Sequence, residues 1–117
     1  MFQFDLMWKT FLKNKNYKRK IKEVNFNEIN LDEYFLLDVR SRREFNEFHL
    51  KGSSNIPLLE LKKNAIRVIQ DKNKKILVYC QSGVRSKKAI IILENLGYTN
   101  IYNLKNGLEN IEKNVAF

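Results

Sequence analysis

The sequence predicts an α/β fold, with a central parallel five-stranded sheet and helices on both faces. Three observations lead there. Short strand-type runs alternate along the chain with stretches whose apolar residues recur at helical spacing. Tyr34-Phe35-Leu36-Leu37-Asp38-Val39 is a nearly continuous apolar run, as expected of a strand covered on both faces. Ile76-Leu77-Val78-Tyr79 leads through a polar turn into a helix-like run, Lys87 to Leu96, closed by Gly97. At 117 residues the chain fits one domain with its own core.

The elements follow in order. Ile21–Val24 reads as a short strand, and Asn25 or Asn27 as the cap of a helical turn running through Leu31-Asp32-Glu33. Tyr34–Val39 is the second strand. Ser41 caps a short helix over Arg42–Phe48, with Glu44 three residues on as its capping-box partner. Ser54-Asn55-Ile56 is a small strand stopped by Pro57. From Leu58 to Ile69 apolar residues fall at 58, 61, 65, 66 and 69, the stripe of an amphipathic helix. Lys75–Tyr79 is the central strand. A helix over 86–96, with Ser86 as N-cap, buries Ala89, Ile90, Ile92 and Leu93. Ile101–Leu104 is the last strand, and Gly107–Asn114 a terminal helix.

Composition narrows the function. The net charge is +9. Residues 1–20 carry Lys9, Lys13, Lys15, Lys18, Arg19 and Lys20 against Asp5, which is +5 of that total, and leave +4 for residues 21–117. Phe4, Met7, Trp8, Phe11 and Leu12 give that segment an apolar stripe, followed by a polar linker. A basic amphipathic helix suits an anionic membrane surface, but this stripe is short for stable interfacial binding, and packing on the domain or another subunit is preferred. No nucleic-acid module accompanies the charge, so no nucleic-acid partner is expected. A lone cysteine excludes an internal disulfide, and with one histidine it speaks against zinc; neither metal nor cofactor is expected. No apolar run reaches the ~18 residues of a membrane span, and Asp5, Lys9 and Thr10 interrupt any secretory-type start. The expectation is a cytoplasmic monomer.

The chemistry concentrates at Cys80-Gln81-Ser82-Gly83-Val84-Arg85-Ser86. This order sets a thiol at the carboxyl end of a strand and before a helix N-terminus, where ligands of parallel sheets gather. Free N–H groups and the positive end of the macrodipole favour a thiolate there, and the thiolate is the nucleophile. N–H groups of residues 81–85 are able to form a concave nest, Gly83 supplies its turn, and Arg85 adds a charged fork at the rim. The competing reading is a buried cysteine that ends a core strand as a small hydrophobe.

The loop resembles the C-x-x-G-x-R active-site loop of rhodanese-like sulfurtransferases. Leu37-Asp38-Val39-Arg40, Glu44-Phe45 and His49-Leu50-Lys51-Gly52-Ser53-Ser54-Asn55-Ile56-Pro57 follow that family's D-V-R, E-[YF] and G-H-I-x-G-A-x-N-I-P signature in order, with Phe48 in place of the first glycine. Leu96-Gly97-Tyr98 and Ile101 through Leu108 resemble its closing segment, so the resemblance spans about residues 22–114. Phe48, Ser53, Asn106 and Ile111 depart from the pattern, at positions that bear on packing.

The resemblance implies a rhodanese-like domain over 21–117 and a two-step sulfur transfer. Cys80 takes a sulfane sulfur from thiosulfate or a persulfide, then passes it to cyanide, a thiol or a protein acceptor. Cys80 and Arg85 would be catalytic. Gln81, Ser82, Gly83, Val84, Arg85 and Ser86 would bind substrate. Asp38 and Arg40 lie at a neighbouring strand end, where Asp38 pairs across the site or Arg40 steers anions; the resemblance favours a structural role for both, as for His49. Alternatives are a non-catalytic binding module, a protein-to-protein sulfur carrier, and a cysteine phosphatase or arsenate reductase. The last class carries five residues between Cys and Arg, against four here, and the smaller loop suits a single sulfur.

Overall fold

Alternation along the strands divides the interior into two layers, and the sheet between them sets the position of Cys80. A computed structural model describes residues 20–109 and 111. Residues 1–19 of the segment 1–20 read as a basic amphipathic helix and linker lie outside them, as do residues 110 and 112–114 of the expected terminal helix.

The five strands are β1 (Glu23–Val24), β2 (Phe35–Asp38), β3 (Ser54–Asn55), β4 (Ile76–Tyr79) and β5 (Ile101–Leu104). They form one parallel sheet in the order β1-β5-β4-β2-β3. β4 is central, paired to β2 from Phe35↔Ile76 to Asp38↔Tyr79 and to β5 from Ile76↔Ile101 to Val78↔Asn103. Side chains on a strand alternate between faces. Ile76, Val78 and Cys80 therefore join Leu37 and Ile101 in one cluster, while Leu77 and Tyr79 join Leu36 and Leu104 in the other.

The first cluster is covered by α2 (Leu61–Val68) through Leu61 and Ala65, and by α3 (Val84–Asn95) through Ala89, Ile90 and Leu93. The opposite face is covered by two 3-10 turns, Phe26–Glu28 and Leu31–Glu33, and by Phe48, Leu50 and Leu108. α1 (Arg42–Glu47) carries the expected capping box: Glu44 N–H donates to Ser41 Oγ, and Ser41 N–H donates to the Glu44 carboxylate.

Several local expectations are corrected. The cap before Leu31-Asp32-Glu33 is Asn30, whose side chain accepts from Asp32 N–H; Asn25 makes no such bond. The run 58–69 opens as a 3-10 turn, Leu58–Glu60, because Pro57 fixes the entry, and Ile66 is exposed. Gly83, not Ser86, is the N-cap of α3, so the helix begins two residues earlier and Ser86 lies in its first turn. Residues 105–109 form turns where a helix is expected to start, since Asn106 and Gly107 both adopt positive φ, 62° and 56°. Among the described residues no helix is long and apolar enough to cross a membrane.

Candidate functional site

Cys80 follows the last residue of the central strand, and the chain turns under it at once. The residue is fully buried, with Sγ facing the loop rather than solvent. Gly83 N–H donates to Sγ at 3.1 Å and Ser86 N–H at 3.4 Å, while the thiol itself donates to Ser86 Oγ at 3.5 Å. Gly83 makes this possible: its φ of 96° turns the backbone back toward the sulfur, a conformation that side chains resist. The turn places the N-terminus of α3, twelve residues long, against the thiol. Two amide donors and a helix terminus suit a sulfur that bears negative charge.

A second turn locks this loop from behind. Leu108 N–H donates to both Cys80 O (3.1 Å) and Gln81 O (3.0 Å). Gly107 is pressed so close that a Cβ there would stand 2.3 Å from Cys80 O. Asn106, where the family pattern has a glycine, reaches its positive φ as asparagine more readily does than other side chains.

Ser86 is fully buried, and its hydroxyl lies within hydrogen-bond distance of two acceptors, Gly83 O at 3.0 Å and Asn103 Oδ1. Asn103, also fully buried, donates through Nδ2 to Glu23 Oε2 at 2.9 Å. Parity puts Asn103 on the α3 face of β5, two residues from Ile101, so a polar side chain in the core meets a polar helix turn. Spacing alone gave no signal for this contact.

Arg85 does not stand free at the rim. Its Nη1 donates to Glu44 Oε1 at 2.6 Å and Nη2 to Oε2 at 2.8 Å, a bidentate fork between α3 and α1. The Arg85 bond, opposed by partial burial and helped by the Ser41 amide and hydroxyl, pulls the Glu44 carboxyl down to about 2. Glu44 in turn raises the Arg85 pKa. The E-[YF] pair contained this residue, but its chain position announced only a helix cap.

Asp38 and Arg40 turn to each other. Arg40 Nε and Nη2 donate to the Asp38 carboxylate at 2.8 to 3.1 Å, and Nη2 also donates to Phe48 O at 2.7 Å. Both are almost wholly buried, at 0% and 2% exposure, so Arg40 is sealed below the surface beside Asp38 and does not stand at the rim as an anion-steering charge would. Burial lowers the Arg40 pKa, but the bond and charge of Asp38 outweigh it and the net direction is up. Asn55 Nδ2 ties β3 to Asp38 O and Arg40 O. His49 stacks on Phe45 with ring centroids 3.7 Å apart, and its Nδ1 lies 2.8 Å from Phe45 O, a structural position.

The structure thus gathers Cys80, Gly83 and Ser86 around one sulfur, with Arg85 at the rim and Gln81, Ser82 and Val84 completing the turn. Val84 is exposed, Ser82 is exposed and Gln81 half-buried. Among the described residues no three of His, Cys, Asp and Glu lie together as a metal site.

The chain matches the rhodanese-like domain family over residues 15–114. It is 46% identical over 76 residues to the uncharacterized protein YqhL of Bacillus subtilis, covering 63% of this chain and 57% of that one. It is 39% identical over 75 residues to the thiosulfate sulfurtransferase PspE of Escherichia coli, covering 64% of this chain and 71% of that one. A solved rhodanese with anions from E. coli superposes with a TM-score of 0.61 at 36% identity, over 67% of this chain and 91% of that one. With this match over most of its length, and with its sheet order and loop, the chain belongs to the rhodanese-like domain family.

Proposed function

We propose that the protein is a sulfurtransferase that carries a sulfane sulfur as a persulfide on Cys80. The observation that carries this reading is the pair of amides, Gly83 and Ser86, trained on Sγ at the start of α3. The named activity of the E. coli relative supports it.

In the first step the Cys80 thiolate bonds to the outer sulfur of the donor. The donor's S–S bond breaks, and its electron pair leaves as sulfite from thiosulfate or as a thiol from a persulfide. In the second step a thiophilic acceptor, such as cyanide or a cellular thiol, takes the outer sulfur and returns the thiolate. The Gly83 and Ser86 donors and the helix terminus stabilise sulfur-borne charge in both steps. Gln81, Ser82, Val84 and Arg85 border the position of the added sulfur. A sulfur passed to a protein acceptor would use the same chemistry. A cytoplasmic setting, where a lone cysteine stays reduced, and a monomeric state go with this reading.

The test is intact mass after incubation with thiosulfate and, separately, with a thiol persulfide. The expected outcome is one added sulfur atom, removed by cyanide and absent from Cys80→Ser. Failure of both donors to load the wild-type chain would overturn the reading and leave a binding module.

A further inference from the structure

The rim arginine is already engaged. Both terminal nitrogens of Arg85 bond to the two carboxylate oxygens of Glu44, at 2.6 and 2.8 Å, so the fork that would receive an anion is filled by the protein's own. Glu44 is itself held in place. Its Oε1 accepts from Ser41 N–H at 3.0 Å and lies 3.1 Å from Ser41 Oγ, and its backbone N–H returns a bond to Ser41 Oγ at 3.2 Å. The carboxylate is therefore part of the α1 cap and cannot swing aside without undoing it. With Glu44 drawn down to about 2, the pair stays ionised at neutral pH, and Arg85 with Glu44 sums to no net charge. Both side chains are about one-third exposed, so they stand at the mouth of the loop rather than deep within it.

The two donor classes differ in what they ask of such a rim. Thiosulfate is a dianion and expels a dianion: Cys80–S⁻ + S–SO₃²⁻ gives Cys80–S–S⁻ + SO₃²⁻. Its three sulfonate oxygens need a free cation as the S–S bond breaks. At its reacting end a thiol persulfide brings at most one charge: Cys80–S⁻ + R–S–SH gives Cys80–S–S⁻ + R–SH. There the electron pair of the broken S–S bond leaves on the R–S sulfur, which takes the proton. No outside oxidant or reductant enters either reaction.

We propose that Glu44 is a positioning residue that sets donor choice: by occupying the Arg85 fork, it directs the Cys80 loop toward thiol persulfides and away from the thiosulfate dianion. The proposal rests on the sulfurtransferase reading above and narrows its substrate class. Glu44 acts through Arg85, not on the sulfur.

The experiment compares Cys80 loading by thiosulfate and by glutathione persulfide in the wild-type chain and in Glu44→Gln. Glutamine at this position still serves the capping box, so the helix keeps its start while the counter-charge is lost. The wild-type chain is expected to prefer the persulfide in kcat/KM by about tenfold or more. In Glu44→Gln thiosulfate should gain roughly tenfold while persulfide changes by less than about threefold. A merely structural role would lower both rates together and could not raise one. If Glu44→Gln folds poorly, Ser41→Ala decides: it keeps the carboxylate, loosens its anchor, and should raise the thiosulfate rate in the same sense but less. An unchanged donor ratio in the variants overturns the proposal while leaving sulfur transfer intact. Absence of loading from either donor in the wild-type chain removes the sulfurtransferase reading itself.

Discussion

Glu44 links the rim of the Cys80 loop to the stability of the fold. Its pKa in the fold is about 2, against an ordinary 4.5. A depressed carboxyl contributes stability that is complete above about pH 4.5 and lost as pH falls through about 2, because the unfolded chain then binds the extra proton. In urea titrations at stepped pH, the stability gap between wild type and Glu44→Gln should close across that window. The gap is expected to be about 1 kcal/mol, since solvent screens a pair this exposed. Asp38 poses a different case. Asp38→Asn would leave Arg40 charged and buried, and the loss is expected to be roughly 3–5 kcal/mol in the same titration. A fully folded Asp38→Asn of wild-type stability would show that Arg40 finds water after all. These two carboxylates were equally visible in the sequence. Their chain positions did not distinguish a buried partner from a rim clamp, because that difference is one of surroundings.

At the scale of elements, the Cys80 loop depends on the turn after β5. The bonds from Leu108 N–H to Cys80 O and Gln81 O hold the loop from behind, and Gly107 has no room for a Cβ against Cys80 O. Gly107→Ala must push the two turns apart. It is expected to cost about 2 kcal/mol or more and to slow sulfur loading, read by thermal melt and by mass. Loading at the wild-type rate would mean that the loop keeps its shape unaided. Strands and helices were mostly legible in the sequence, since alternation and helical spacing are local. The start of α3 was not: serine is a common cap, yet positive φ at Gly83 brings the helix forward and leaves Ser86 inside it. Residues 107–109, where the side-chain pattern suggests the start of a helix, form turns instead, because Asn106 and Gly107 adopt positive φ.

For the molecule as a whole, charge is unevenly spread along the chain. Residues 1–20 carry +5 of the +9, and the remainder is modestly basic. If the apolar stripe of that segment packs on protein, the full chain and residues 21–117 should co-sediment equally with vesicles of anionic lipid. Loss of sedimentation on truncation would instead make the segment a membrane contact. β2, β4 and β5 run parallel, so the residues that follow each strand, Cys80 among them, lie at one carboxyl edge of the sheet.

What the chain order determined by itself is the α/β class, the place of Cys80 at a strand end, and the glycine-bearing turn that follows it. Those features rest on neighbours within a few residues, and near neighbours leave a readable pattern. Only the tertiary structure decided that Glu44, 41 residues away, grips Arg85, and that Asn103, 17 residues on, meets Ser86. The side chain's face is set by strand parity, but which helix covers that face is set by strand order in space, and strand order is a property of the packed whole.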